Sequence, residues 1–204
     1  MNAAEIIRML EEPTQNRWPV IHKIRDEAAI SELVTALQQS TRSLTRRILC
    51  DILGFRAELG RLPTGSAIST LIESLHDPDE GVRSSAADAL GKIADPSAGP
   101  ALLAQYYKEQ EGSRVRHMLA SAVGASHNTS AIPALIEALS SSDNILRRSA
   151  TWGLRHLKAQ EAREALHKAL LVEKDPLTIR IMKETFQEIE AAVQESPEDL
   201  TDNS

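Results

Sequence analysis

The sequence predicts an all-α fold of about five to six helical hairpins stacked side by side, and three observations predict it. The first is composition. The chain holds 27 alanines and 24 leucines among 204 residues, with aromatics at 3%, a balance that favours helix over sheet. The second is an internal repeat. Arg83, Arg116 and Arg147 each follow an aliphatic residue (Val82, Val115, Leu146) and stand 33 and 31 residues apart, with Thr45-Arg46 in the same place 37 residues before Arg83. The third is a second, independent register. Ile93, Ser126 and Leu157 end one helix and Leu102, Leu135 and Leu166 open the next, nine residues on each time, as do Ile24 and Leu33. One hairpin of this length cannot bury its apolar face alone, so neighbours must stack.

Helical pairs are expected over 3–26, 30–57, 66–94, 98–126, 130–158 and 161–194, as a single solenoid over 1–194 with an acidic flexible tail over 195–204. In the first pair, Glu5, Arg8, Glu11 and Glu12 interrupt the opening apolar residues, which argues against a secretory signal. The second pair carries Thr45-Arg46. It is joined to the third by about six extra residues near GFRAELGRLPTG, in the 55–66 region, where Gly60, Pro63 and Gly65 make an irregular loop. Its role is either recognition at one rim or a bridge across a kink.

The third pair shows the pattern most clearly. Val82, Ala86, Ala89, Leu90 and Ile93 fall at offsets 0, 4, 7, 8 and 11, one face of a helix with 3.6 residues per turn. Val115, Leu119, Ala122 and Val123 repeat it in the fourth pair, and Leu146, Ala150, Gly153, Leu154 and Leu157 in the fifth. Pro100 and Pro133 suit the first turn of a helix. Of Tyr106 and Tyr107, one ring is expected in the core and the other outside. The sixth pair diverges, because Arg180 sits one residue out of register with Met182, Phe186 and Ile189, and it is expected to be a cap.

Several function classes fall away. An uncharged run from Ala120 to Ile136 contains Ser121, Ser126, Asn128, Thr129 and Ser130, too polar to span a bilayer. The single cysteine, Cys50, leaves no intramolecular disulfide and suits a reducing cytoplasm. No phosphate-binding glycine loop, HExxH or His-Glu dipeptide occurs. The six histidines (His22, His76, His117, His127, His156, His167) are scattered. No catalytic residue, cofactor or metal is therefore expected. The formal net charge of -6 lies in the acids from Glu188 onward, leaving a neutral body. Arg114, Arg116, Arg147, Arg148 and Arg155 raise the possibility of nucleic acid, but a neutral body with few aromatics argues against it.

The stretch from Asp77 to Pro96 (DPDEGVRSSAADALGKIADP), followed by Pro100-Ala-Leu-Leu, resembles the HEAT-like repeats, in particular the short variety of phycobilisome lyase subunits. The resemblance is strong there and good over 66–167. It implies a right-handed α–α superhelix whose second helices line a concave groove. It also implies a ladder between repeats made by an acid in each turn and the arginine that follows, here Asp77 with Arg83 and Asp143 with Arg147. It further suggests an alternative role as a bilin lyase subunit, or a phycobilisome assembly or degradation factor, holding a phycobiliprotein or bilin.

Offsets 2, 6 and 9 of each second helix point away from the apolar face. Offset 2 reads Arg47, Ser84, His117, Arg148; offset 6 reads Asp51, Asp88, Ser121, Trp152; offset 9 reads Gly54, Gly91, Gly124, Arg155. Trp152 between Arg148 and Arg155 is the composition of a protein-binding hot spot, with packing onto a neighbouring repeat as the alternative. The expected function is a non-enzymatic scaffold holding a protein partner through Trp152, Arg148, Arg155, His117, Arg116, Asp88, Asp51 and Arg47.

Overall fold

The computed structural model describes residues 1–61, 63 and 65–194; the acidic tail over 195–204 lies outside the described residues. Six hairpins follow one another. They are α1 (Ala3–Glu11) with α2 (Trp18–Glu27), α3 (Ile30–Gln39) with α4 (Ser43–Glu58), and α5 (Ser66–Ser74) with α6 (Glu80–Ile93). Then come α7 (Gly99–Lys108) with α8 (Arg114–Ala125), α9 (Ile132–Ala138) with α10 (Asn144–Leu157), and α11 (Arg163–Val172) with α12 (Pro176–Gln194). The fold is an all-α, right-handed α–α superhelix, and among the described residues it contains no strand.

Each boundary has a local cause. Asp79, Ser113 and Asp143 cap α6, α8 and α10 by accepting the N–H of Val82 (3.1 Å), Arg116 (3.1 Å) and Ile145 (2.8 Å), and Asp175 accepts that of Thr178 at 2.8 Å. Such caps satisfy N–H groups that have no partner within the helix. Three second helices end on a left-handed residue, Ala94, His127 or Lys158, and a short 3₁₀ turn follows (Pro96–Ala98, Thr129–Ala131, Gln160–Ala162). In the first two, Asp95 and Asn128 cap the turn. The nine-residue spacing of the sequence is this device repeated. The extra residues between α4 and α5 split between a longer α4 and a loop in which Gly60 and Gly65 take positive φ, +72° and +51°.

Successive second helices pack directly on one another from α4 through α6, α8 and α10 to α12. Beyond α5, the first helices approach their own hairpin partners much more than each other. The second-helix layer is therefore the shorter one, and the array curves toward it. Offsets 0, 4, 7 and 8 of α6 and α8 are buried, with Val82, Ala86 and Leu90 fully inaccessible. In α12, Thr178, Met182, Thr185 and Ile189 occupy offsets 0, 4, 7 and 11 and are buried as well. The last unit thus keeps the packing register. Ile179 stands where the other units have the ladder arginine, as fits a unit with no described neighbour beyond it.

The offset-9 glycines sit at close contacts between second helices. A Cβ on Gly54 would lie 3.0 Å from Ala89 Cα, and one on Gly91 would lie 3.0 Å from Ala122 Cβ; Gly124 rests directly on the backbone of Gly153. In each case offset 9 of one second helix meets offset 7 of the next. Gly54 and Gly124 are buried at these contacts, against the expectation that the whole row points outward, while Gly91 still borders open surface. A second helix in a stack has three helical neighbours, so small residues beside its apolar stripe mark the flanks where backbones meet.

The ladder is also corrected. Asp77 does not pair with Arg83, nor Asp143 with Arg147. Asp77, Glu109 and Glu173 each take the arginine of the preceding unit, whereas Asp143 takes His117. Arg46 donates Nε and Nη2 to Asp77 (2.7 and 2.9 Å), Arg83 to Glu109 (2.8 and 3.3 Å) and Arg147 to Glu173 (2.6 and 2.7 Å). The remaining Nη1 of each arginine donates to carbonyls in its own turn: Ser40 for Arg46, Asp77 and Pro78 for Arg83, Ser141 and Ser142 for Arg147. Every such arginine therefore pins its own turn and reaches across to the next one. Burial pushes the carboxyls of Asp77 and Glu109 up, but their arginines and other hydrogen bonds outweigh it and hold both below the usual range.

Candidate functional site

The inner face of the second-helix layer holds a trough of about 570 Å³ that crosses three units. Asp88, Gly91 and Lys92 of α6 form one side, Met118, Ser121, Ala122 and Ala125 of α8 the floor, and Ser149, Trp152 and His156 of α10 the far side. Ala94 and His127 close one end. These positions are one helical stripe per unit, spaced three or four residues apart, so the register that builds the core also builds the trough.

Trp152 is 36% exposed. The Arg155 guanidinium lies 5.0 Å from its ring centroid and is itself tied to α12 by ion pairs with Glu188 and with Glu184 at 3.4 Å. Arg155 therefore braces the indole and is not a free cation. The ring is held by a charge network anchored on the next unit, and such a pre-set aromatic loses little entropy when a partner covers it. Asp88 pairs with Lys92 at 3.1 Å, and Lys92 also reaches Glu58 at 3.4 Å and caps the Phe55 ring at 4.5 Å.

The other predicted residues divide into two groups. Arg47 is exposed and packs beside Gly81, while Asp51, half-buried next to it, has its carboxyl raised by burial despite a hydrogen bond with Ser85 and the charge of Arg47. Arg148 is partly exposed one turn before Trp152 and lies near Asp175. Two residues do not lie on the open face. His117 is 5% exposed, with Nε2 2.5 Å from Asp143 Oδ2, and so joins α8 to the cap of α10. Arg116 belongs to the ladder: its Nη1 donates to the Glu109 carbonyl at 3.1 Å and its guanidinium stacks 4.6 Å from the Tyr106 ring centroid.

Met118, Lys92, His127 and His156 line the trough without having been anticipated. For Lys92 and His156 the signal was offset 10 (Lys92, Ala125, His156), since it lies one turn beyond offset 6. Burial, together with the neighbouring His127 and Arg155, pushes the His156 imidazole below its ordinary pKa. Among the described residues, no cluster of three or more His, Cys, Asp or Glu is placed to hold a metal. Burial also pushes the Cys50 thiol up to about 12, which leaves it unreactive. No described helix is long and apolar enough to cross a membrane.

A family profile described as HEAT repeats matches residues 30–124 and 103–182. No curated protein matches the chain. Among solved structures, the Escherichia coli protein YibA is similar over 95% of this chain and 75% of its own, at 16% identity and a TM-score of 0.63. A designed armadillo repeat protein in complex with the peptide (KR)4 is similar over 93% of this chain and all of its own, at 16% identity and a TM-score of 0.62. The complex of CpcE and CpcF of phycocyanin lyase from Nostoc sp. PCC7120 matches over 93% of this chain and 95% of that one, at 20% identity and a TM-score of 0.48. Likeness at these identities concerns the path of the helices only.

Proposed function

The chain belongs to the HEAT-repeat family, and from that premise we propose that it is a non-enzymatic scaffold whose concave second-helix surface binds a protein partner. The observation that carries this reading is the trough across α6, α8 and α10, where a half-exposed indole is fixed from behind by Arg155. A rigid aromatic with an apolar floor and a polar rim is the composition of an interface hot spot. Trp152 is the anchor in this reading. Asp88, Arg148, Asp51 and Arg47 lie around it on the same face, Arg155 is a positioning residue, and His117 and Arg116 serve the framework.

Trp152→Ala is expected to weaken capture of the partner from the native lysate by about tenfold or more while helix content by circular dichroism stays unchanged. Undiminished capture by the folded variant would defeat the reading. The bilin-lyase role implied by the 77–103 segment makes a contrasting prediction, an absorbance shift when phycocyanobilin is mixed with the chain.

A further inference from the structure

Five of the exposed large apolar side chains lie on α4, α10 and α12, and they are not scattered. Leu44 (47%) and Phe55 lie on α4, Ile145 (41%) and Trp152 on α10, and Leu177 (40%) on α12. Leu44, Ile145 and Leu177 share one register position, the residue just before offset 0, at the starts of their helices. Arg114 holds that position in α8. One turn further along are the offset-2 arginines, Arg47, Arg148 and Arg180. These positions therefore bring leucine or isoleucine and arginine together at the starts of α4, α10 and α12, with Arg114 alone on α8 and with Gly81, overlain by Arg47, and the buried Ser84 on α6. The belt they form lies beside the trough, and α10 joins the two through Arg148 and Trp152, four residues apart.

The arginines of this belt differ from those of the ladder. Arg46, Arg83 and Arg147 are each held by a carboxylate of the next unit. Arg47, Arg114 and Arg148 have no carboxylate within 4.0 Å among the described residues, and Arg180 has only Glu184 at 4.0 Å. Of the acids nearest the belt, Asp143 and Asp175 cap their helices, Asp143 also holds His117, and Asp51, half-buried beside Arg47, is hydrogen-bonded with Ser85. The chain as a whole is acidic, so unpaired cations gathered on one apolar face are a local feature of that face.

We infer that this belt docks an acidic amphipathic segment of a protein partner, laid across the starts of the second helices, with its apolar side chains on Leu44, Ile145 and Leu177 and its carboxylates on Arg47, Arg114 and Arg148. Charge complementarity selects the occupant: the cations are unpaired while the trough's acid, Asp88, is already neutralised by Lys92. Apolar surface that the partner covers supplies affinity, and the unpaired arginines supply orientation and speed of encounter. The inference rests on the proposed use of the second-helix face but names a different part of it.

The test uses the whole chain and two fluorescein-labelled peptides of equal length and identical leucine placement, one with glutamate at the remaining positions and one with lysine, followed by fluorescence anisotropy. The glutamate peptide is expected to bind about tenfold or more tightly than the lysine peptide, to weaken as salt rises, and to lose at least that factor against the double variant Arg114→Glu/Arg148→Glu. Circular dichroism of the double variant should match the parent, since neither side chain is structural; the milder pair Arg114→Gln/Arg148→Gln serves if the reversal unfolds. Equal or preferential binding of the lysine peptide, absence of binding by either, or indifference to the variants would overturn the inference. So would tighter binding of a labelled DNA duplex, which would make the belt a nucleic-acid surface. If Trp152→Ala abolishes partner capture while the arginine variants leave the peptide unaffected, the proposed function stands and the acidic-segment inference alone fails.

Discussion

Gly124→Ala is expected to destabilise the protein by about 2–3 kcal/mol, the upper part of the range for overpacked sites, although alanine in mid-helix would otherwise gain about 1 kcal/mol over glycine. The reason is the junction of α8 and α10, where Gly124 lies against the backbone of Gly153 and Gly153 in turn against the Ala120 carbonyl. A methyl group there meets main chain, which cannot rotate aside, so the two helices must separate and the packing of Leu119, Val123, Ala150 and Leu154 loosens with them. Gly54→Ala should cost much less, because its new Cβ would meet Ala89 at 3.0–3.2 Å and the flexible end of Lys92. Urea unfolding followed by circular dichroism measures both. A Gly124→Ala variant as stable as the parent would mean that α8 and α10 are not in backbone contact.

The second large effect lies in the ladder. Glu173 is 1% exposed in its side chain. Its two bonds from Arg147, together with the N–H groups of Asp175 and Lys174, outweigh burial and hold its carboxyl at about 2, against an ordinary 4.5. The native value lies below the unfolded one, so this rung's contribution is complete above about pH 4.5 and is lost as pH falls toward 2, about 3 kcal/mol at most. Glu173→Gln should therefore lower stability near neutral pH by about 2 kcal/mol and flatten its dependence on pH between those limits. The fourth unit offers the converse. Arg116 Nε is buried with no hydrogen-bond partner among the described residues, and Ser141 stands where the other rungs have Asp77, Glu109 and Glu173. A cavity of about 270 Å³ borders both Arg116 and Ser141. Ser141→Glu should complete the rung and gain at most about 1 kcal/mol, the scale of a charged hydrogen bond less its ordering cost and less the bonds that Ser141 now makes with Glu111 and the Asp143 N–H. Unfolding measured across pH tests the pair; a Glu173→Gln variant with the parent's pH profile would contradict the assignment.

Why some of this was legible follows from which forces are local. Hairpin boundaries depend on caps and turn residues within a few positions of each other, and the predicted 66–94 and 130–158 pairs contain α5 with α6 and α9 with α10. The apolar offsets were equally legible, because burial against the hairpin partner follows helical periodicity. What lies between units was not. Asp77 and Arg83 are six residues apart, yet Asp77 serves Arg46, 31 residues away. His117 looked outward on a single helix and is covered only when Asp143 arrives from the next unit. The glycine row looked like an open trough for the same reason. Periodicity reports the one direction common to all units, and it is silent on the two flanks where units differ. At the site, Trp152 and Asp88 were legible from offset 6 and His156 was open to reading from offset 10, while Met118 and His127 needed the neighbouring helices in place.

The central claim is that partners meet the second-helix layer and not the outer one. Site-specific photo-crosslinking tests it most directly, with a benzophenone side chain placed in one preparation at Ser121, on the trough floor, and in another at Tyr107, 62% exposed on α7 of the outer layer. A crosslinked partner from Ser121, suppressed when Trp152→Ala is added, with none from Tyr107, is the result expected. The same partner captured from Tyr107 and not from Ser121 would contradict the account.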